Sequence, residues 1–496
     1  MSHIRPLTHL EPGQPILVGG NRVLHVSADL ANRFAPGDRL LVVPETESVL
    51  HIPAHEQEQA ATAVAQAHAA FTRMGTVSDE QICKFYQVFA ARLEDEHIWQ
   101  TILEANQADV AQAQRLGRST TRLVATPKLR AGMIEGLRGW TDQVSQRGAV
   151  LSQVDHGDWS VDLVGDALGV IGFIFEGRPN VIADATGVLR GGNTVVFRIG
   201  SDALGTARTM LAQAVRPALV EAQLPEHAVA LVDSTAHAAG WALFSDTRLS
   251  LAVARGSGPA VATLGGLAQQ HGIPVSLHGT GGAWMVAAPD ADPAVFEEAV
   301  FRSLDRKVCN TLNTCCIVAS QARTLVPRLL AGLERAGERI GHGYKLHATP
   351  AARPHLPGEL FSRSLMVQRA DGPQEEVQAQ DIAGDQLGRE WEWEQTPEVT
   401  VTVVDSVDEA IALFNQQSPH FVATLISNDA TQHQQFFERI DAPFVGDGFT
   451  RWVDGQYALK RPELGLTNWE RGRLMGRSGI LSGDTVFTVR LRARNT

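Results

Sequence analysis

The chain has 496 residues, too many for one hydrophobic core, so at least two domains are expected. Hydrophobic residues make up 44% and charged residues 20%, the mix of an ordinary globular protein with ample core. A formal net charge of −12 excludes the basic footprint of a nucleic-acid or anionic-membrane binder.

Four cysteines in this length do not make a secreted disulfide framework, so a reducing cytoplasm is expected. The N-terminus lacks an apolar signal core, and no apolar run approaches the roughly 18 residues of a membrane span. The expectation is a cytoplasmic protein with neither a membrane nor a nucleic acid as partner.

Taken in chain order, residues 1–52 read as a small β-rich appendage. "QPILVGGNRVLHV" and "GDRLLVVPETESVLHIP" are short β runs broken by glycine and proline. From Ala54 the spacing turns helical, with Ser78 as a candidate cap for "DEQICKFYQVFAARLE". Residues 147–168 alternate and turn at His156-Gly157-Asp158, which predicts a two-stranded excursion. Then βα alternation begins: the strand "LGVIGFIF", the glycine-ended helix "VIADATGVLRGG", the strand "NTVVFRI", a helix over "ALGTARTMLAQAVRPAL", and the strands "AVALVD" and "LSLAVA". A second set is expected to start near Pro274. It contains the cysteine strand "CNTLNTCCIVAS", the helix "ARTLVPRLLAGLERAG", the strand "EVTVTVVD" and the helix "SVDEAIALFNQQ". The last stretch is rich in glycine and arginine and ends in the strand "DTVFTVRLRA".

Three of the four cysteines fall within "DRKVCNTLNTCC". Zinc is disfavoured, because Cys315 and Cys316 are adjacent and point to opposite faces of a strand. Both read as small hydrophobes in a buried strand. Cys309 differs: it precedes the strand beside Lys307, whose charge would favour a thiolate, so it is the candidate nucleophile.

Three stretches resemble the γ-glutamyl phosphate reductase branch of the aldehyde dehydrogenase superfamily. They are "LGVIGFIFEGRPNVIADATGVLRGGNTVVFRIGSDA", "DRKVCNTLNTCCIV" and "TRWVDGQYALKRPELGLTNWERGRLMG". The resemblance runs from about Glu56 to the C-terminus. It implies two interleaved Rossmann-type α/β domains, with the N-terminal β appendage added. Residues 53–273 would bind NAD(P) and carry the 147–168 hairpin for oligomerisation. Residues 274–445 would be the catalytic cysteine domain. Residues 446–496 would return to the cofactor domain and to the interface of a homodimer or homotetramer.

By the same resemblance, Cys309 attacks an acyl carbonyl, and its own N–H and the Asn180 amide receive the oxyanion. Asn180 could equally cap the helix that follows. Arg198 and Ser201 would lie near the adenosine ribose. A serine there in place of the glutamate of NAD-dependent relatives favours NADP, with NAD as the alternative; Arg198 could instead cap a solvated strand end. Arg255, Gly256 and Ser257 resemble a phosphate-side loop where glycine permits close approach, or a plain tight turn. Glu394 would steady the nicotinamide ribose.

The chain also departs from the family. His278 stands near the position of the water-activating glutamate of oxidising relatives, as a base or as a structural residue. Trp284 would reshape the acyl pocket. Arg178, Arg451 and Lys460 would receive an anionic substrate, although Arg451 and Lys460 could equally be solvated charges. The expected activity is an NADP-dependent reductase of an acyl phosphate through a Cys309 thioester, the acyl group being free or presented by a partner protein. Alternatives are an aldehyde-oxidising dehydrogenase and a non-catalytic scaffold. No metal is expected.

Overall fold

The computed structural model describes residues 5–44, 46–118, 120, 122–369, 372–453, 458–460, 462, 466–467, 469–470, 473–474, 480–481 and 483–495. The chain forms two compact units. The first comprises Met1–Gly279, Lys460–Leu466 and Gly476–Thr496, and the second comprises Thr280–Leu459 and Thr467–Met475.

The first unit is built on a five-stranded parallel sheet of β1 (Val170–Phe175), β2 (Thr194–Ile199), β3 (Val229–Leu231), β4 (Leu249–Arg255) and β5 (Val275–His278). Their order is β5-β4-β1-β2-β3. Continuous apolar runs form these strands because both faces are covered. Ile171, Phe173 and Phe175 of β1 pack with Phe85, Phe89 and Phe197, whereas Val170 and Ile174 pack with Leu243 and Leu264. β5 pairs with β4, so Val275–His278 belongs to this first unit and the boundary falls at Gly279 rather than Ile273. Main-chain pairing along the strand decides it, and a sequence window does not contain that pairing.

The helices follow their local signals. Ser78 and Gln81 form a reciprocal capping box at the start of Asp79–Glu94. The predicted helix after β2 is helical over Leu204–Met210, makes a π turn over Leu211–Val215, and resumes at Arg216–Glu221. Pro217 has no N–H for the Gln213 carbonyl, and Arg92 Nε donates to that oxygen at 2.7 Å instead.

Within residues 5–52, Pro15–Val18 pairs with Arg22–His25 and Arg39–Val43 with Ser48–Ile52, and one short helix, Ala28–Arg33, stands between the hairpins. Val43, Leu50 and Ile52 share a core with Leu243, Phe244 and Leu267, from the helices His237–Phe244 and Gly258–Gln270. Val150–Asp155 and Trp159–Ala167 form the expected hairpin, with Gly157 at φ +92° in its turn. Phe487–Asn495 adds a third antiparallel strand to it.

The second unit carries a seven-stranded parallel sheet of β6 (Ala283–Ala287), β7 (Leu312–Val318), β8 (Lys345–Ala348), β9 (Ala379–Asp381), β10 (Glu398–Val404), β11 (Val422–Ile426) and β12 (Phe444–Gly446). The order is β9-β8-β10-β7-β6-β11-β12. β12 and the segment up to Leu459 therefore belong to this unit, which is a correction to a C-terminal return beginning at residue 446. Cys315 and Cys316 on β7 enter two different cores, one with Leu325 and Leu329 and the other with Phe414 and Leu425. Burial pushes both thiols' pKa values up, so they stay protonated.

Candidate active site

Cys309 lies half-buried in the turn that leads into β7. The turn is closed locally. The Thr311 N–H donates to the Val308 carbonyl at 3.1 Å, and the Val308 N–H donates to Thr311 Oγ1 at 2.9 Å. From the β6 side, the Gly282 N–H donates to the Cys309 carbonyl at 2.7 Å. Gly281 presses on the same peptide, and a Cβ there would sit 2.6 Å from Cys309 Cα. That contact explains the first glycine of the pair in "GTGGAW", and φ +112° at Gly282 explains the second.

The cation beside the cysteine is already engaged. Lys307 Nζ pairs with Glu390, whose other oxygen accepts the Gly281 N–H at 2.7 Å. The Lys307 charge is therefore matched by a carboxylate. Glu390, rather than Glu394, is the acidic residue held against the cysteine turn; Glu394 is exposed.

Arg451 is not a solvated charge. It is 1% exposed, and its Nε donates to Asp305 Oδ1 at 2.7 Å while Nη1 donates to Asn310 Oδ1. The preceding Thr450 donates its hydroxyl to the Asn310 carbonyl at 2.7 Å and its N–H to Ser303 Oγ at 2.8 Å. The 3-10 turn Thr450–Trp452 thus grips the cysteine loop on both sides of Cys309. Trp284 is also corrected. It is fully buried on β6, edge-on to Phe414 at 5.6 Å, and packs the core rather than lining an acyl pocket.

In the first unit, charged groups gather at the carboxyl ends of β1, β4 and β5. Arg178 donates to Glu176 Oε1 through Nε at 2.8 Å and also through Nη2. Arg255 Nε lies 3.8 Å and Arg122 Nη1 3.9 Å from that same oxygen. Burial raises the pKa of the Glu176 carboxyl, but the Arg178 and Arg255 charges outweigh burial and hold it below the usual carboxylate range. Burial, then the Arg255 and Arg178 charges, push the His278 pKa well down, so its imidazole is neutral and a poor acid. Asn180 stands at the N-cap position of Val181–Ala185 without a side-chain cap bond, and its Nδ2 donates to Asp184.

Arg198 is buried rather than at a solvated strand end. Its Nη2 donates to the Thr235 and Ala236 carbonyls, both at 3.0 Å, and its Nε has no hydrogen-bond partner among the described residues. Ser201 Oγ accepts from Arg118 at 3.1 Å and lies 3.2 Å from the Asp202 carboxylate, which Arg118 neutralises. A carboxylate is thus present one residue beyond the expected position. Among protein atoms a Cβ at Gly256 would meet only Val261 Cγ2, at 4.0 Å, and the Gly256 N–H donates to the His278 carbonyl at 3.2 Å. Ser257 is the N-cap residue of Gly258–Gln270, with no side-chain cap bond. Lys460 is exposed at φ +56°.

The sheet order places a topological switch between β1 and β4, because the chain leaves β1 toward β2 and leaves β4 toward β5 on the other side. Arginines at those strand ends, with the unpaired Arg198 Nε, fit a phosphate-bearing dinucleotide. The aldehyde dehydrogenase family model matches residues 41–349. The chain belongs to the aldehyde dehydrogenase family. It is an oxidoreductase of that family and is similar to γ-glutamyl phosphate reductases. The one from Agathobacter rectalis is 27% identical over 378 residues, covering 74% of this chain and 82% of that protein. The one from Rhizobium etli is 28% identical over 393 residues, covering 77% and 83%. The crystal structure of γ-glutamyl phosphate reductase from Thermotoga maritima superposes with a TM-score of 0.75 at 21% identity, covering 88% of this chain and 99% of that one, and it shares the fold.

Sequence reasoning missed Glu176, Arg122 and Glu390 in this family member. "FEGRPN" contained Glu176 in plain view, but nothing local shows that three arginines converge on it. No local signal separates Glu390 from Glu392 and Glu394, which alternate alike with the two tryptophans; its pairing with Lys307 does.

Proposed function

We propose that this chain is an NADP-dependent reductase that converts an acyl phosphate, of the γ-glutamyl phosphate kind, to an aldehyde. The observation that carries this reading is a half-buried Cys309 gripped from two sides, next to two cysteines sealed in the core. The curated relatives named γ-glutamyl phosphate reductase support the substrate class.

The Cys309 thiolate adds to the acyl carbonyl carbon, and the collapsing oxyanion breaks the C–O bond to phosphate, leaving an acyl thioester on Sγ. The nicotinamide cofactor supplies the hydride that this thioester carbonyl accepts. The second oxyanion then collapses, the C–S bond breaks, and aldehyde departs with the thiolate restored. We assign Asn180 as an amide donor to the oxyanion, a role worth about 10²–10³ in rate for one donor. Arg198, Ser201, Ser257 and Glu394 are assigned to the cofactor, and Lys460 to the substrate.

A hydrolytic dehydrogenase needs a water-activating base. His278, with its pKa pushed well down, is a weak one. The reductase reading needs no such base. Among the described residues no helix is long and apolar enough to cross a membrane, and we place the enzyme in the cytoplasm as a homo-oligomer.

The test is run in the reverse direction, with aldehyde and NADP. Turnover is expected only when phosphate is present to accept the acyl group, and none is expected from Cys309→Ser. Full-rate oxidation without phosphate would favour the hydrolytic dehydrogenase.

A further inference from the structure

The charge cluster of the first unit sets several arginines around one carboxylate. Arg122, Arg178 and Arg255 all approach Oε1 of Glu176, and only Arg178 makes short hydrogen bonds to it. The Arg178 and Arg255 side chains are 18% and 15% exposed, so their repulsion is poorly screened by water. That repulsion is visible at Arg178, whose pKa is lowered by burial and then by the Arg255 charge. Glu176 hydrogen-bonds Arg178 but leaves Arg255 Nε at 3.8 Å, beyond hydrogen-bond reach. A tetrahedral dianion can reach both, because it presents several oxygens in different directions and carries twice the charge.

The location adds a second argument. Arg255 is the last residue of β4, and Glu176 directly follows β1. These strands flank the switch point, the crevice at which parallel α/β sheets bind ligands. The Glu176 N–H donates to the Arg255 carbonyl at 3.1 Å, which fixes the two strand ends against each other. His278 at the end of the neighbouring β5 is buried and neutral, so it adds no charge to oppose or assist an anion.

We infer that Arg122, Arg178 and Arg255 form a receptor for a tetrahedral phosphate group, with the Glu176 carboxylate holding its place until the ligand arrives. The inference deepens the reductase reading and rests on it for the source of the phosphate, which is either the acyl phosphate and its released phosphate or a phosphate of the dinucleotide. The receptor itself is defined by the arginine geometry. When phosphate enters, Glu176 rotates away and its charge no longer competes.

The experiment is equilibrium titration of the full-length protein with inorganic phosphate at fixed ionic strength, by calorimetry and without turnover. Glu176→Gln should bind phosphate about tenfold tighter than the unaltered chain, because a competing charge is removed from within about 4 Å. Arg178→Gln and Arg255→Gln should each bind at least about tenfold more weakly. Phosphate binding that is unchanged or weaker in Glu176→Gln would overturn the inference, as would equal binding by the arginine variants. The Glu176 variant predicts a gain, so misfolding cannot imitate success. Repeating the titration with saturating NADPH separates the sources. Phosphate binding that persists assigns the receptor to the substrate's phosphate, and competitive loss assigns it to the cofactor's. If phosphate binds as described but no acyl phosphate is reduced, the receptor stands and the reductase reading falls. If reduction proceeds while Glu176→Gln shows no gain, the receptor alone falls.

Discussion

At the scale of single residues, the chemistry depends on where one sulfur is held. Arg451 holds the loop that carries it through Asp305 and Asn310, one on each side of Cys309. Its planar fork addresses two acceptors at once, which a lysine ammonium cannot reproduce. Arg451→Lys keeps the charge and should lower kcat about tenfold or more while KM changes little, because a misplacement of about 1 Å at a reacting atom costs on the order of 10²-fold. Alkylation of Cys309 by iodoacetamide should change rate in the same variant. Unaltered kcat and alkylation would show that the grip is merely structural. Position 451 was picked from the sequence for its charge, but its task was not readable there. An arginine in a glycine-rich segment looks the same whether it faces water or a buried loop, and only the through-space partners Asp305 and Asn310 distinguish the two.

At the scale of elements, a buried charge network ties the hairpin Ser364–Arg369/Gly372–Val377 to two inner strands of the second sheet. Glu376 on the hairpin pairs with Lys345 of β8 and accepts from Arg369 Nε at 2.6 Å. Arg369 also donates to Glu398 of β10 at 2.8 Å, and Glu398 hydrogen-bonds His347 at 2.6 Å. His347 in turn stacks on Trp391 with ring centroids 3.5 Å apart. The Arg369 and Lys345 contacts outweigh burial and pull the Glu376 carboxyl down to about 2. A lowered carboxylate stabilises the fold above its unfolded value of 4.5, and that contribution is lost as pH falls toward 2. Glu398→Gln removes a buried charge while leaving Arg369 in place, and it should cost about 3 kcal/mol in denaturant melts at pH 7. A loss below about 0.5 kcal/mol would show that Glu376 alone holds the hairpin. The tryptophans of "EWEW" read as neighbours of a ribose-binding glutamate in sequence. In the fold Trp391 is the floor of this network, with its Nε1 donating to Thr400 at 2.8 Å.

At the scale of the whole molecule, the three-stranded sheet of Val150–Asp155, Trp159–Ala167 and Phe487–Asn495 exposes Val150, Leu151, Val154, Trp159 and Leu491. Exposed apolar side chains gathered on one small sheet, with open strand edges, suit a second copy of the chain. Size-exclusion chromatography with light scattering should therefore return at least twice the 53.6 kDa chain mass at micromolar concentration. Trp159→Lys together with Leu491→Lys should shift it to the monomer. A 53.6 kDa particle from the unaltered chain would defeat the expectation.

The sequence by itself determined the α/β class, the parallel sheets and the contrast among the cysteines. Short unbroken apolar runs between helical periods fit strands covered on both faces, and adjacent strand residues must face opposite sides, as Cys315 and Cys316 do. Tertiary structure alone decided that Val275–His278 completes the first sheet, that Trp284 is core, that Lys307 is matched by Glu390, and that three arginines share Glu176. The physical reason is the same in each case. Strand pairing and burial of charge are settled by partners far away in the chain, and the identity of a side chain does not reveal which partner it will meet.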